Sequence, residues 1–190
     1  MSSVVISGNT SGTITLDAPA VAGTTTLTLP ATTGTVLTNA SQLVGTGTTT
    51  NDSAAVGYVG EYVSSTVSVA GPVSLATGTA KTITSISLTA GDWDVNSFST
   101  YNGTATALIS AASSISLVNN TLGDRDSARC SMPLPTAGIS LNATDATIVV
   151  PRVRISIATT TTIYMVSTGT FSGGGNTASC YGTISARRVR

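Results

Sequence analysis

Histidine is absent from this 190-residue chain, and charged residues make up 8% of it, against about 25% in ordinary soluble domains. Without an imidazole, serine and cysteine nucleophiles lack their usual base, so covalent hydrolytic chemistry is disfavoured. Aromatic residues are also scarce, at 4%. A core must therefore rest on Val, Ile, Leu and Ala, with Trp93, Phe98, Tyr164 and Phe171 as its largest pieces. No apolar run reaches the roughly eighteen residues of a membrane-spanning helix. The opening MSSVVISGNTSG has neither the basic nor the apolar region of a signal peptide, so neither export nor a membrane partner is expected. Cys130 and Cys180 are the only cysteines, and they lack the spacing and companions of a metal site. They fit two free thiols in a reducing compartment, or one disulfide pinning two strands.

What is abundant is hydroxyl. Thr and Ser number 36 and 26, about a third of the chain. Threonine favours strands and serine favours turns, while helical blocks of Ala, Glu, Lys and Leu are missing, so an all-β protein is expected. Disorder would need low hydrophobicity and high net charge, whereas 41% of residues are apolar and the net charge is zero.

The balanced charge is unevenly placed. Residues 1–95 carry Asp17, Asp52, Glu61, Asp92 and Asp94 against Lys81, while residues 96–190 carry seven arginines against Asp124, Asp126 and Asp145. Opposed halves can pair within a chain, between subunits, or with a charged partner. Asp17 is the only charged residue among the first 50, and a segment so poor in charge is usually covered.

That segment is periodic. From Gly12 it reads GTITLDAPAVA, GTTTLTLPATT, GTVLTNASQLV and GTGTTTNDSAA, rows of eleven that open at Gly12, Gly23, Gly34 and Gly45. Ile14 and Leu16, then Leu27 and Leu29, are spaced two apart as in a strand with one buried face. Pro19 and Pro30 follow at matching positions, so each row reads as a short strand closed by a turn. One row has too few apolar side chains to bury a core, and copies of the same chain supply the missing cover. The rows therefore predict an anchor or shaft over 1–55, intertwined in a homotrimer, with Gly12, Leu16, Pro19, Gly23, Leu27, Leu29, Pro30 and Gly34 as assembly residues. A loose linker is the competing reading, and a dimer stays open.

Beyond Ala55 come eight strand-like runs separated by Gly, Pro, Asn and Asp: VGYVGEYV, TVSVAGPVSL, KTITSISL, DWDVNSFSTY, TALISAASSISLV, DATIVVPRVRISI, TTIYMVSTGTF and SCYGTISARRV. Such a series over 56–190 fits a two-sheet, jelly-roll-like β-sandwich knob. Strict alternation would put Arg152 and Arg154 on the face of Val150, which would then be polar or interfacial. With Arg187, Arg188 and Arg190 they are the interface candidates, expected to pair with carboxylates of a neighbouring subunit or a particle surface. Zero net charge argues against nucleic acid.

Asp92-Trp93-Asp94 is the one trio resembling a glycosidase pair beside a sugar-stacking aromatic. Its simpler reading is a turn running into a strand, with Trp93 in the core. Asp124-Arg125-Asp126 reads as a solvated loop, and neither group offers enough oxygen ligands for Ca²⁺. No enzyme activity, metal or cofactor is expected.

The opening SGTITLDAPAVAGTTTLTLPATTGTVLT resembles a segment near the start of tailed-bacteriophage virion proteins, the fibres, spikes and decoration proteins of capsid or tail. SISLTAGDWDV, TTIYMVSTGTF and CYGTISARRVR are similar to the β-sandwich knob ending many of them. The resemblance implies a homotrimeric virion protein, assembled in the bacterial host cytoplasm, with one end docked to capsid or tail proteins and the knob outward. The short reach of the four rows favours a capsid decoration protein, of the cement or head-fibre kind, which needs only an anchor; the alternative is a tail fibre whose knob binds a host-surface receptor or glycan. No active-site residues come with the resemblance.

Overall fold

The computed structural model describes residues 3–7, 9–17, 21, 23, 24, 26, 31, 50, 52–104, 107–135, 137–141, 145–172 and 177–190. All the regular structure described is strand. The chain divides into two compact units, Met1–Gly47 and Thr48–Arg190, the second beginning ahead of the boundary expected at residue 55.

In the first unit, β1 (Ser3–Ser7) and β2 (Thr13–Asp17) form an antiparallel two-stranded sheet. Gly12 turns the chain into β2 with φ +81°, a conformation that a side chain with a Cβ rarely adopts. Val4 faces Leu16 and Ile6 faces Ile14 in register, so four apolar side chains share one face. Each is more than half exposed within the chain. The first row thus forms the expected strand, and it pairs along one edge with a segment of its own chain.

The second unit is a sandwich of two five-stranded sheets. Its strands are β3 (Tyr62–Val67), β4 (Val73–Leu75), β5 (Lys81–Leu88), β6 (Gly91–Thr104), β7 (Ala107–Ser116), β8 (Arg129–Pro133), β9 (Ile139–Ser140), β10 (Ala146–Ile157), β11 (Thr161–Ser172) and β12 (Thr177–Arg188). One sheet runs β10-β6-β12-β3 with β4 also on β12; the other runs β5-β11-β7-β8 with β9 also on β7. Successive strands pass from one sheet to the other at β4–β5, β5–β6, β6–β7, β9–β10, β10–β11 and β11–β12. This interleaving is the connectivity of a jelly roll, and it bears out the expected sandwich.

The alternation of β6 explains the core. Trp93, Val95, Ser97, Ser99 and Tyr101 point inward, while Asp94, Asn96 and Phe98 lie on the other face. Phe98, expected in the core, is therefore 40% exposed, and Tyr101 takes its place as a large buried ring. Tyr164 and Phe171 are half-buried. Between the sheets, Ser99 of β6 bonds Ser113 of β7 at 2.6 Å and Ser167 of β11 at 2.9 Å. Tyr101 donates to the carbonyl of Ala112 at 2.8 Å. These pairs satisfy hydroxyls that would otherwise be costly to bury, and they tie the two layers in one register. Cys130 and Cys180 are free thiols, and burial pushes the Cys180 thiol up to about 11.

Two expectations fail locally. The run from Val56 to Val63 is mostly turn, with β3 starting at Tyr62, because Gly57 and Gly60 hold positive φ. On β10 the register shifts between Val150 and Val153, so Arg152 and Arg154 do not share the face of Val150. Val150 is fully buried, and the bulge turns both arginines outward.

Candidate functional site

Four strand ends and one turn meet where the sandwich receives residues 54–61. Arg188 donates its amide to the Glu61 carbonyl, and Gly60 donates to the Arg188 carbonyl at 3.0 Å, so the start of β3 and the end of β12 are laced together. Asp92 donates its amide to Arg190, and Val189 donates to Asp92, which ties the C-terminus to the start of β6. Gly91 faces Ile157 in register, which brings the end of β10 to the same pole.

Beneath this pole lies an ion pair. Arg188 Nε donates to Glu61 Oε2 at 2.9 Å, and both side chains are at least nine-tenths closed from solvent. The guanidinium also donates to the carbonyl of Ala90 and the hydroxyl of Thr89, and it stacks 4.3 Å from the centre of the Trp93 ring. Trp93 donates its indole N–H to the Thr89 carbonyl at 3.0 Å. Gly91 makes room, since a Cβ there would collide with the Arg188 guanidinium. Burial pushes the Glu61 carboxyl up, but the Gly57 amide and the Arg188 guanidinium together hold it below its ordinary value. Such a pair survives desolvation only when well hydrogen-bonded, and here each of the three guanidinium nitrogens has an acceptor.

On the outer face above it, Arg154 clasps Asp92 through Nε and Nη2, with Nη2 to Oδ2 at 2.5 Å, and Arg190 reaches the same carboxylate at 2.9 Å. The Arg154 hydrogen bonds, reinforced by Arg190, hold the Asp92 carboxyl below the usual carboxylate range against the opposing effect of burial. Arg152 pairs with Asp94 at 3.1 Å. Arg187 lies opposite Asp94 in register, is exposed, and has no ion-pair partner among the described residues.

The structure thus gathers all five candidate arginines at one pole but divides their roles. Arg188 is buried and internal, which removes it from the interface candidates. Arg152, Arg154 and Arg190 remain exposed, yet the carboxylates they meet are Asp92 and Asp94 of their own chain. Glu61 and Thr89 were not singled out from sequence. The Asp92-Trp93-Asp94 trio has the aromatic fully buried, with both carboxylates engaged by arginine. Among the assembly residues, Gly12 and Gly23 hold positive φ and Leu16 is exposed on the hairpin. Pro19, Leu27, Leu29, Pro30 and Gly34 lie outside the described residues.

No protein-family model matches the chain, and no curated protein matches it. Solved structures are similar to part of the chain, among them two from infectious bursal disease virus. That of the infectious bursal disease virus Gx strain matches at 16% identity and TM-score 0.40, covering 69% of this chain and 33% of its own. The infectious bursal disease virus VP2 subviral particle matches at 14% identity and TM-score 0.39, covering 69% of this chain and 34% of its own. This chain therefore spans about a third of the length of the viral chains it is similar to.

Proposed function

We propose that this chain is a structural protein of a bacteriophage particle, a homotrimeric capsid decoration protein of the cement or head-fibre kind. It docks through its N-terminal segment and carries the jelly-roll sandwich outward. The observation that carries this reading is the unequal closure of the two units. The sandwich buries its own core, whereas the hairpin leaves Val4, Ile6, Ile14 and Leu16 open on one face. A two-stranded sheet alone is marginal in water, so that face needs a cover, and identical strands supply one of matching shape. The resemblance of the Gly-Thr rows to the opening of phage virion proteins supplies the context.

The second reading is a tail fibre whose knob binds the host surface. Tyr58, Tyr62 and Phe98 favour it, since all three are exposed on the sandwich where a ligand could reach them. Labelled chain on particles separates the two readings: many copies over the shell support decoration, and a few confined to the tail support a fibre. Light scattering on the purified full chain tests the assembly itself, and a monomer would overturn it.

A further inference from the structure

The pole that receives residues 54–61 has a property that core stability does not require. Its carboxylates lie underneath and its guanidiniums lie on top. The side chains of Asp92 and Asp94 are 6% and 24% exposed, whereas those of Arg152, Arg154 and Arg190 are 73%, 61% and 74% exposed. Arg187 adds a fourth exposed cation beside Asp94. Counting side chains alone, four cations stand over two carboxylates, a local positive excess on a chain whose net charge is zero. Arg152 spends one terminal nitrogen on Asp94 and Arg190 spends only Nε on Asp92, so each keeps N–H donors directed to solvent.

We propose that this arginine pole is a second docking surface, fitted to a carboxylate-rich protein surface. The inference rests on the reading of a particle-docked protein for its partner. The chemistry favours carboxylates over phosphates. Arg154 already spends Nε and Nη2 on Asp92, so the free N–H donors belong mainly to Arg152, Arg187 and Arg190. A nucleic-acid surface typically engages about six to ten phosphates, more than four guanidiniums can meet.

The test needs no particle, so its failure is distinct from failure of the virion reading. Purified full-length chain is passed over immobilised poly-L-glutamate at low ionic strength, and separately over immobilised duplex DNA. With zero net charge, retention must come from a local patch. The expected result is retention on poly-L-glutamate, lost as salt shortens the screening length to about 10 Å near 0.1 M, with weaker retention on DNA. Arg187→Glu, which breaks no side-chain hydrogen bond or ion pair among the described residues, should weaken binding several-fold. Arg152→Ser combined with Arg187→Ser and Arg190→Ser should abolish it, with Trp93 fluorescence unchanged as the check on folding. Free passage of the wild type, retention unaffected by Arg187→Glu, or tighter binding to DNA than to poly-L-glutamate would each overturn the proposal.

Discussion

In the sandwich, Leu88, Trp93, Val95, Tyr101 and Ile163 are wholly closed from solvent, while in the hairpin Val4, Ile6, Ile14 and Leu16 are each more than half open. Both regions are antiparallel sheet rich in threonine and serine, so composition is not what separates them. The difference is a second layer. A sheet with one apolar face becomes stable when another sheet covers that face, and the sandwich carries its cover within the same chain. Among the described residues the hairpin is a single layer, with its apolar face open.

The sharpest way to break this comparison is to remove residues 1–55. The proposed trimer should fall to a monomer in light scattering while the sandwich keeps its melting transition. A truncated chain that unfolds would show that the sandwich depends on the segment after all. Within the sandwich, Trp93→Ala should cost about 3–5 kcal/mol, since it empties a fully buried site and removes the platform under Arg188. Chemical denaturation reads that loss, and the wild-type tryptophan should emit to the blue and resist soluble quenchers. Glu61→Gln leaves the Arg188 cation buried without its counter-ion and should cost about 3 kcal/mol.

Acid should weaken the sandwich more than the hairpin. Glu61 and Asp92 are both held below their ordinary values of 4.5 and 3.8, so the folded chain binds fewer protons than the unfolded one. Their contribution is complete above pH 4.5 and is lost as pH falls through the lowered values. A melting temperature that holds level below pH 3.8 would contradict this. The smallest effect should come from Gly12→Val. There is space for the side chain, but the backbone sits at φ +81°, which costs a β-branched residue about 1–2 kcal/mol. That penalty should appear in assembly yield and not in sandwich melting.

The sequence made much of the sandwich readable because strand alternation is local. Trp93 between two aspartates pointed to the core, and the same period of two carried on to Tyr101 and put Phe98 outside. Phe98 misled because its inward neighbours are Ser97 and Ser99, which look like surface residues; Ser113 and Ser167 of the facing sheet bond Ser99, while the Ser97 hydroxyl is buried without a hydrogen-bond partner among the described residues. Pro151 carried a usable signal, since proline within a strand marks an edge or bulge, and a bulge there reverses the facing of Arg152 and Arg154. The partner of Arg188 could not be read in the same way. Glu61 stands 127 residues earlier, and no local pattern joins the two. The short β8 and β9 were missed because RCSMP and IS lack a clear alternating pattern.

The lacing of Glu61 to Arg188 also decides how the sandwich bears a load. The strand that receives the chain, β3, runs antiparallel to β12 through six residue pairs, from Tyr62 with Arg187 to Val67 with Gly182. A pull on the segment ahead of Glu61, resisted by drag on the body of the knob, is directed along β3 and strains all six pairs at once, as in shear. A pull between that segment and Arg190 would open the same ladder from one end, a pair at a time. Stretched by the first route in a force spectrometer, the sandwich should hold to a higher force than by the second, with the buried Glu61–Arg188 contact as the first element to yield in the weaker direction.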